Sequence, residues 1–252
     1  MRFLKGVILL CSALPAILAA QGEPPRSVPK GAAPLASDLP EPGAAVAKIG
    51  ENRYRLGQIE FDSKTREVRV PVVVNMREGG PVEYLLVHEQ GKVHESVLAT
   101  AINPLHLQIV LKLLRYRTGF GDVFNRLLPE DLVEKEGGDA ADRGETVAFF
   151  FTPNEGEPIP AYELVVDGEN AEAMEAGGWT FTGSVVEDGT FMAEAEGSIV
   201  AIYLDPLAMF NMTRDGAHID SRWGARTSAI PELGTPGILS ILPGDSIPGE
   251  EQ

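Results

Sequence analysis

Three of the four histidines fall within residues 88–106: His88, His94 and His106; the fourth is His218. Imidazole is the side chain most able to trade a proton near neutral pH, and it is a common metal ligand. His94 and Ser96 offer a base and a hydroxyl nucleophile two residues apart. On a strand, side chains two residues apart are separated by about 6–7 Å, too far for His94 to activate Ser96 directly. The chain holds no Gly-x-Ser-x-Gly elbow, so a serine hydrolase has no support. His88, His94, Glu95 and His106 are the candidate metal ligands. A zinc site needs at least three such groups converging, and this spacing has no standard form. The competing reading is a set of cross-strand polar pairs with satisfied hydrogen bonds.

Other polar clusters point to less. Asp139 with Asp142, Glu187-Asp188, and Asp215 with Asp220 do not follow the Asp-x-Asp-x-Asp-Gly calcium loop. Gly119-Phe120-Gly121 and Gly177-Gly178 lack the strand-to-helix setting of a phosphate loop. Trp179, Phe181, Phe191, Tyr203 and Phe210 are spaced as core residues rather than as a sugar-binding platform.

The elements that must position these residues are mostly strands. Residues 82–89 and 92–100 flank Gln90-Gly91, which reads as a hairpin with Gly91 at positive φ. Period two then places Lys92, His94 and Ser96 on one face with Glu83 and Glu89, and Tyr84, Leu86 and His88 on the other. Residues 67–76 form a β-branched run in which Pro71 demands an edge position or a bulge. Further strands are expected over 147–152, 162–167, 198–204 and 238–242. A second hairpin is expected from 179–186 and 190–195 around Glu187-Asp188-Gly189. Asn103-Pro104 opens a helix over about 103–116, capped by Asn103. Its apolar residues Leu105, Ile109, Leu113, Val110 and Leu114 lie on overlapping stripes, so much of it should be buried. Asp205-Pro206 signals a second, short helix over about 205–212. Residues 96–105 and 198–207 echo one another, each running strand into Asx-Pro-Leu. The fold class is therefore α+β, with a largely antiparallel sheet built from hairpins and packed with these two helices.

Composition sets the compartment. Residues 1–20 carry Arg2 and Lys5, then an apolar run, then Leu18-Ala19-Ala20, the layout of a secretory signal peptide. Six prolines with Ala, Gly and Ser make 21–50 a linker; 51–242 is the folded domain, with a loop at 134–145; 243–252 is a polar tail. The formal net charge is −16, and loss of the leader removes two positive charges more. So acidic a chain is repelled by phosphate backbones, which argues against nucleic acid. Cys11, the one cysteine, lies inside the leader and follows Leu10 rather than the small residue a lipobox requires. The remainder offers no disulfide, iron–sulfur cluster or cysteine nucleophile. No later segment reaches a membrane-spanning length, so no integral membrane segment is expected after cleavage. The expected location is periplasmic or secreted.

These residues also resemble a known family. Glu83-Tyr84-Leu85-Leu86-Val87, Gly91 to Ser96, and Asn103-Pro104 with its apolar helix are similar to the YdjY-like domain. So are Trp179 to Ser184, Glu196-Gly197-Ser198, Asp205-Pro206-Leu207, and the closing segment Pro231 to Gly237. The resemblance covers about residues 54–243. It implies a bacterial exported domain of no settled activity, with His94, Glu95 and Ser96 as the first matched positions to carry over. The iron–sulfur cluster ascribed to some members has no cysteine to hold it here. The acidic run that members carry before the tryptophan matched by Trp223 is reduced to Asp220.

The function expected from all this is an exported envelope binding or interaction module whose partner is an envelope protein or a small ligand; catalysis is left open. The alternative is a metal-binding protein or metal-dependent enzyme built on His88, His94, Glu95 and His106, with a divalent metal as its cofactor; otherwise no cofactor is expected. A purely structural envelope protein is the third class, and it would expose an apolar patch and self-assemble.

Overall fold

The computed structural model describes residues 45–119, 123, 124, 144–169 and 171–244. The expected leader, most of the linker, most of the 134–145 loop and the end of the tail lie outside these residues.

The described chain opens with an antiparallel ribbon. β1 (Ala47–Lys48), β2 (Arg53–Leu56) and β3 (Ile59–Asp62) fold back on one another and lead into β4 (Val68–Val74). β5 (Tyr84–His88) and β6 (Ser96–Thr100) follow, then helix α1 (Pro104–Leu113). β7 (Thr146–Pro153) carries the small strand β8 (Ile159–Pro160) on its flank. β9 (Val165–Asp167) and β10 (Glu172–Ala173) belong to a separate three-stranded sheet. Next come β11 (Trp179–Phe181), the hairpin β12 (Val186–Glu187) and β13 (Thr190–Phe191), and the short helix α2 (Met192–Glu196). β14 (Ser198–Ala201), β15 (Phe210–Met212), β16 (Trp223–Ala225) and β17 (Pro236–Pro243) complete the order.

The main sheet closes on itself. From β4 the order runs through β17, β7, β11, β15, β14, β5 and β6, and β6 pairs back to β4, which makes an eight-stranded barrel. Closure removes the open sheet edges that otherwise invite aggregation. The interior is written by alternation: Val68, Val70, Val72 and Val74 of β4 all enter one core. They meet an aromatic cluster in which Phe149 stands edge-on to Trp179 and Phe210, with centroids 5.5 and 5.2 Å apart. Phe181 lies 5.1 Å from Phe210. Trp179, Phe181 and Phe210 are thus core residues as expected, whereas Phe191 and Tyr203 are half-buried.

The mostly β character and the longer helix agree with the sequence reading; the hairpin-built sheet does not, and the short helix lies at Met192–Glu196 rather than over 205–212. β5 and β6 pair in parallel, Tyr84 beside Ser96 and His88 beside Thr100. Residues 89–95 are therefore no tight turn. They run back along β5 and end in a 3₁₀ turn at Val93–Glu95. Gly91 does not adopt positive φ; its role is close approach. A Cβ there would stand 2.8 Å from the Glu196 carbonyl oxygen and 3.1 Å from the Gly197 Cα. The crossing segment is held by a second apolar cluster containing Val73, Tyr84, Val87, Val93, Ala99, Ala201 and Ala208.

Pro71 is neither on an edge strand nor explained by a bulge. On one side β4 is fully paired with β17, Pro71 opposite Ile238. On the other side its partner changes from β3, at residues 68–69, to β6, at residues 73–74. Pro71 falls in that gap, and its carbonyl accepts the Thr100 hydroxyl at 2.7 Å. The missing N–H points where no ladder bond is required.

The helix at Asn103-Pro104 forms as read. Asn103 Oδ1 accepts the N–H groups of Leu105 (2.7 Å) and His106 (3.1 Å), closing the first turn. The helix expected over 205–212 does not form. Asp205 Oδ1 accepts only the Leu207 N–H, and its other oxygen is taken by Tyr84. The Asn211 side chain binds both the N–H and the carbonyl of Asp205, at 2.8 and 3.0 Å, and draws residues 210–212 back as a strand parallel to β14. The echo between 96–105 and 198–207 therefore extends through strand and Asx turn, and stops before the helix. The second hairpin survives as β12–β13, with Asp188 and Gly189 both at positive φ. Its expected second arm continues as α2 rather than as a strand.

Candidate functional site

The return segment brings together residues that a hairpin would have kept on opposite faces. Lys92 crosses the Tyr84 ring, its ammonium 5.0 Å from the centroid. Lys92 Nζ donates to Tyr84 Oη at 2.7 Å, and Tyr84 Oη donates to Asp205 Oδ2 at 2.7 Å. Lys92 Nζ also lies 3.7 Å from Asp205 Oδ2. Asp205 is fixed from behind by the Leu207 N–H and by Asn211, whose Nδ2 also donates to Thr182 Oγ1 at 2.9 Å. The Ser198 hydroxyl is buried beside the same phenol. Three distant chain segments are thereby pinned around one buried tyrosine.

The electrostatics follow from burial and crowding. Burial, with Asp205 alongside, pushes the Tyr84 phenol well above its usual range. It stays protonated and donates to Asp205, so it is no general base. Burial raises the Glu83 carboxyl; the nearby Glu95 charge adds to this, Lys92 opposes it, and Asp220 and Asp205 add further repulsion. Lys92 is thus the cationic centre of a carboxylate-rich surface.

The histidines go separate ways. His88 ends β5, where its Nδ1 accepts the Gln90 N–H at 3.2 Å. Burial lowers its pKa, against the pull of Glu89 and Glu194. His94 is exposed on the 3₁₀ turn, its Nε2 3.6 Å from Glu95 Oε2. Ser96 is fully buried, and its hydroxyl is spent on the Leu98 carbonyl at 2.8 Å. His106 sits half-buried in the first turn of α1. Among the described residues no three His, Cys, Asp or Glu side chains gather as a metal would require, so His88, His94, Glu95 and His106 do not converge. Lys92, Tyr84 and Asp205 were missed as a group because the hairpin register put Tyr84 and Lys92 on different faces. The signal that could have found them is Asp205-Pro206 read as a turn.

A different surface stands out on α1. Leu107, Val110, Leu111 and Leu114 enter the core, while Leu105, Ile109 and Leu113 are 39%, 41% and 55% exposed. Of the five apolar residues expected to bury much of the helix, Val110 and Leu114 are buried, whereas Leu105, Ile109 and Leu113 are not. One stripe is inside, and a second, at i, i+4, i+8, faces out. The helix is fixed firmly beneath. At its C-terminal end Arg66 Nε donates to the Leu114 carbonyl at 3.0 Å. The Arg66 guanidinium also makes a two-bond pair with Glu145, at 2.7 and 3.0 Å, and stacks 4.1 Å from the Tyr116 ring centroid. At its N-terminal end Asn103 Nδ2 donates to Glu194 of α2 at 2.6 Å.

Comparison with protein-family models, with curated proteins and with solved structures finds no match.

Proposed function

We propose that the chain is an exported interaction module of the bacterial envelope, related to the YdjY-like domain, and that it binds through the outer face of α1. The observation that carries this is the exposed stripe Leu105–Ile109–Leu113 on a helix whose inner face and both ends are fixed to the barrel. A surface helix ordinarily turns its apolar side to the core and its polar side to water. Here both sides are apolar, and three large aliphatic side chains in a row are held rigidly in solvent, as at a binding surface. The polar alternative is weaker: Lys92, Tyr84 and Asp205 are engaged with one another.

The test is native size in an extract of the source cell envelope. The chain should migrate as a species larger than the monomer, and Ile109→Glu should migrate as the monomer while keeping the same melting temperature in isolation. Equal migration of the two would overturn the proposal.

A further inference from the structure

We infer that the partner on this face is a second copy of the chain, its α1 packed antiparallel to the first around a two-fold axis at Ile109. This rests on the interaction reading above and names its occupant. The stripe is symmetric about its middle residue: Leu105 and Leu113 lie one helical turn either side of Ile109. A two-fold axis through Ile109 sets Ile109 against Ile109 and Leu105 against Leu113, which makes the surface self-complementary, as an isologous interface requires.

Charge supports the same direction. The N-terminal end of α1 is acidic, with Glu194 bonded to Asn103 and Glu196 exposed on the same short helix. The C-terminal end is basic, with Lys112 in the last turn and Arg115 just beyond it, both exposed. Antiparallel pairing brings the acidic end of each copy to the basic end of the other and opposes the helix dipoles. Parallel pairing would set like charges together. One ten-residue helix offers less than the roughly 1,600 Å² of a standard interface, so the dimer is a reversible one whose population depends on concentration.

Cys11 is the sole cysteine of the chain, so Cys11→Ser combined with Ile109→Cys leaves a single thiol. This variant should form a disulfide-linked dimer under mild oxidation, since the two-fold axis brings its own copies into register. In the same Cys11→Ser background, Leu105→Cys mixed with Leu113→Cys should cross-link about fivefold or more faster than either alone, because only the mixture places thiols within bonding distance. Sedimentation of the unaltered chain should show its mass rising from monomer to dimer with concentration. Faster cross-linking of Leu105→Cys with itself would overturn the antiparallel arrangement. A monomer at every concentration would overturn the dimer; if Ile109→Glu still abolished the larger species in envelope extract, the interaction reading would survive with another partner. A monomeric Ile109→Cys variant whose single thiol reacts slowly with a water-soluble thiol reagent would overturn both, since the chain itself would then cover the face.

Discussion

Tyr84 shows how one buried side chain can organise its surroundings without reacting. Its phenol is held protonated by burial and by Asp205, so it serves as a fixed donor between a turn and the crossing segment. Beside it, Glu83 is held in a setting unfavourable to its charge. Burial and the neighbouring carboxylates raise its pKa, so the folded state holds its proton to a higher pH than the unfolded state does. The stabilising contribution is full at pH values below the unfolded pKa and is lost as pH rises through the folded one. Glu83→Gln should therefore raise the melting temperature at pH 7 by about 1–3 °C and leave it nearly unchanged at pH 4. A fall at pH 7 would show that Lys92 outweighs burial and the neighbouring carboxylates. Residue types in this region were legible from the sequence, including the crowding of His94 and Glu95 near Ser96. Their contacts were not, because each depended on which face of which strand a side chain occupied.

At the scale of the element, the segment between β5 and β6 decides the local architecture. Gln90-Gly91 carries a hairpin signal, yet Gly91 is selected by the approach of Gly197 rather than by a turn. Gly91→Ala would drive a methyl into the Glu196 carbonyl and should cost about 2 kcal/mol by overpacking, read as a lower urea midpoint. A loss under about 0.5 kcal/mol would mean that the segment lies farther from β14 than described. α1 was readable because its cap, its first-turn proline and its apolar run all act within a few residues. The helix missing at 205–212 was unreadable for the opposite reason: Tyr84 and Asn211 compete for the Asp205 groups that would have capped it, and Tyr84 is distant in sequence.

At the scale of the whole molecule, closure explains several local misreadings together. Pro71, read as marking an edge strand or a bulge, sits instead where β4 exchanges β3 for β6 as the barrel shuts. β17, the last described strand of the chain, lies in the barrel between β4 and β7. Long-range pairings of this kind leave no trace in hydrophobic period, which reports only which residues face inward. Once the barrel is shut and the inner stripe of α1 is buried against it, Leu105, Ile109 and Leu113 remain exposed together on one face of that helix, open to another molecule. Photochemical carbene labelling of these three side chains reads that claim most directly. In dilute purified chain they should label strongly. In concentrated chain or in envelope extract their labelling should fall severalfold, while exposed Val186 on the β12–β13 hairpin stays unchanged. Equal labelling of Leu105, Ile109 and Leu113 under all three conditions would contradict the account.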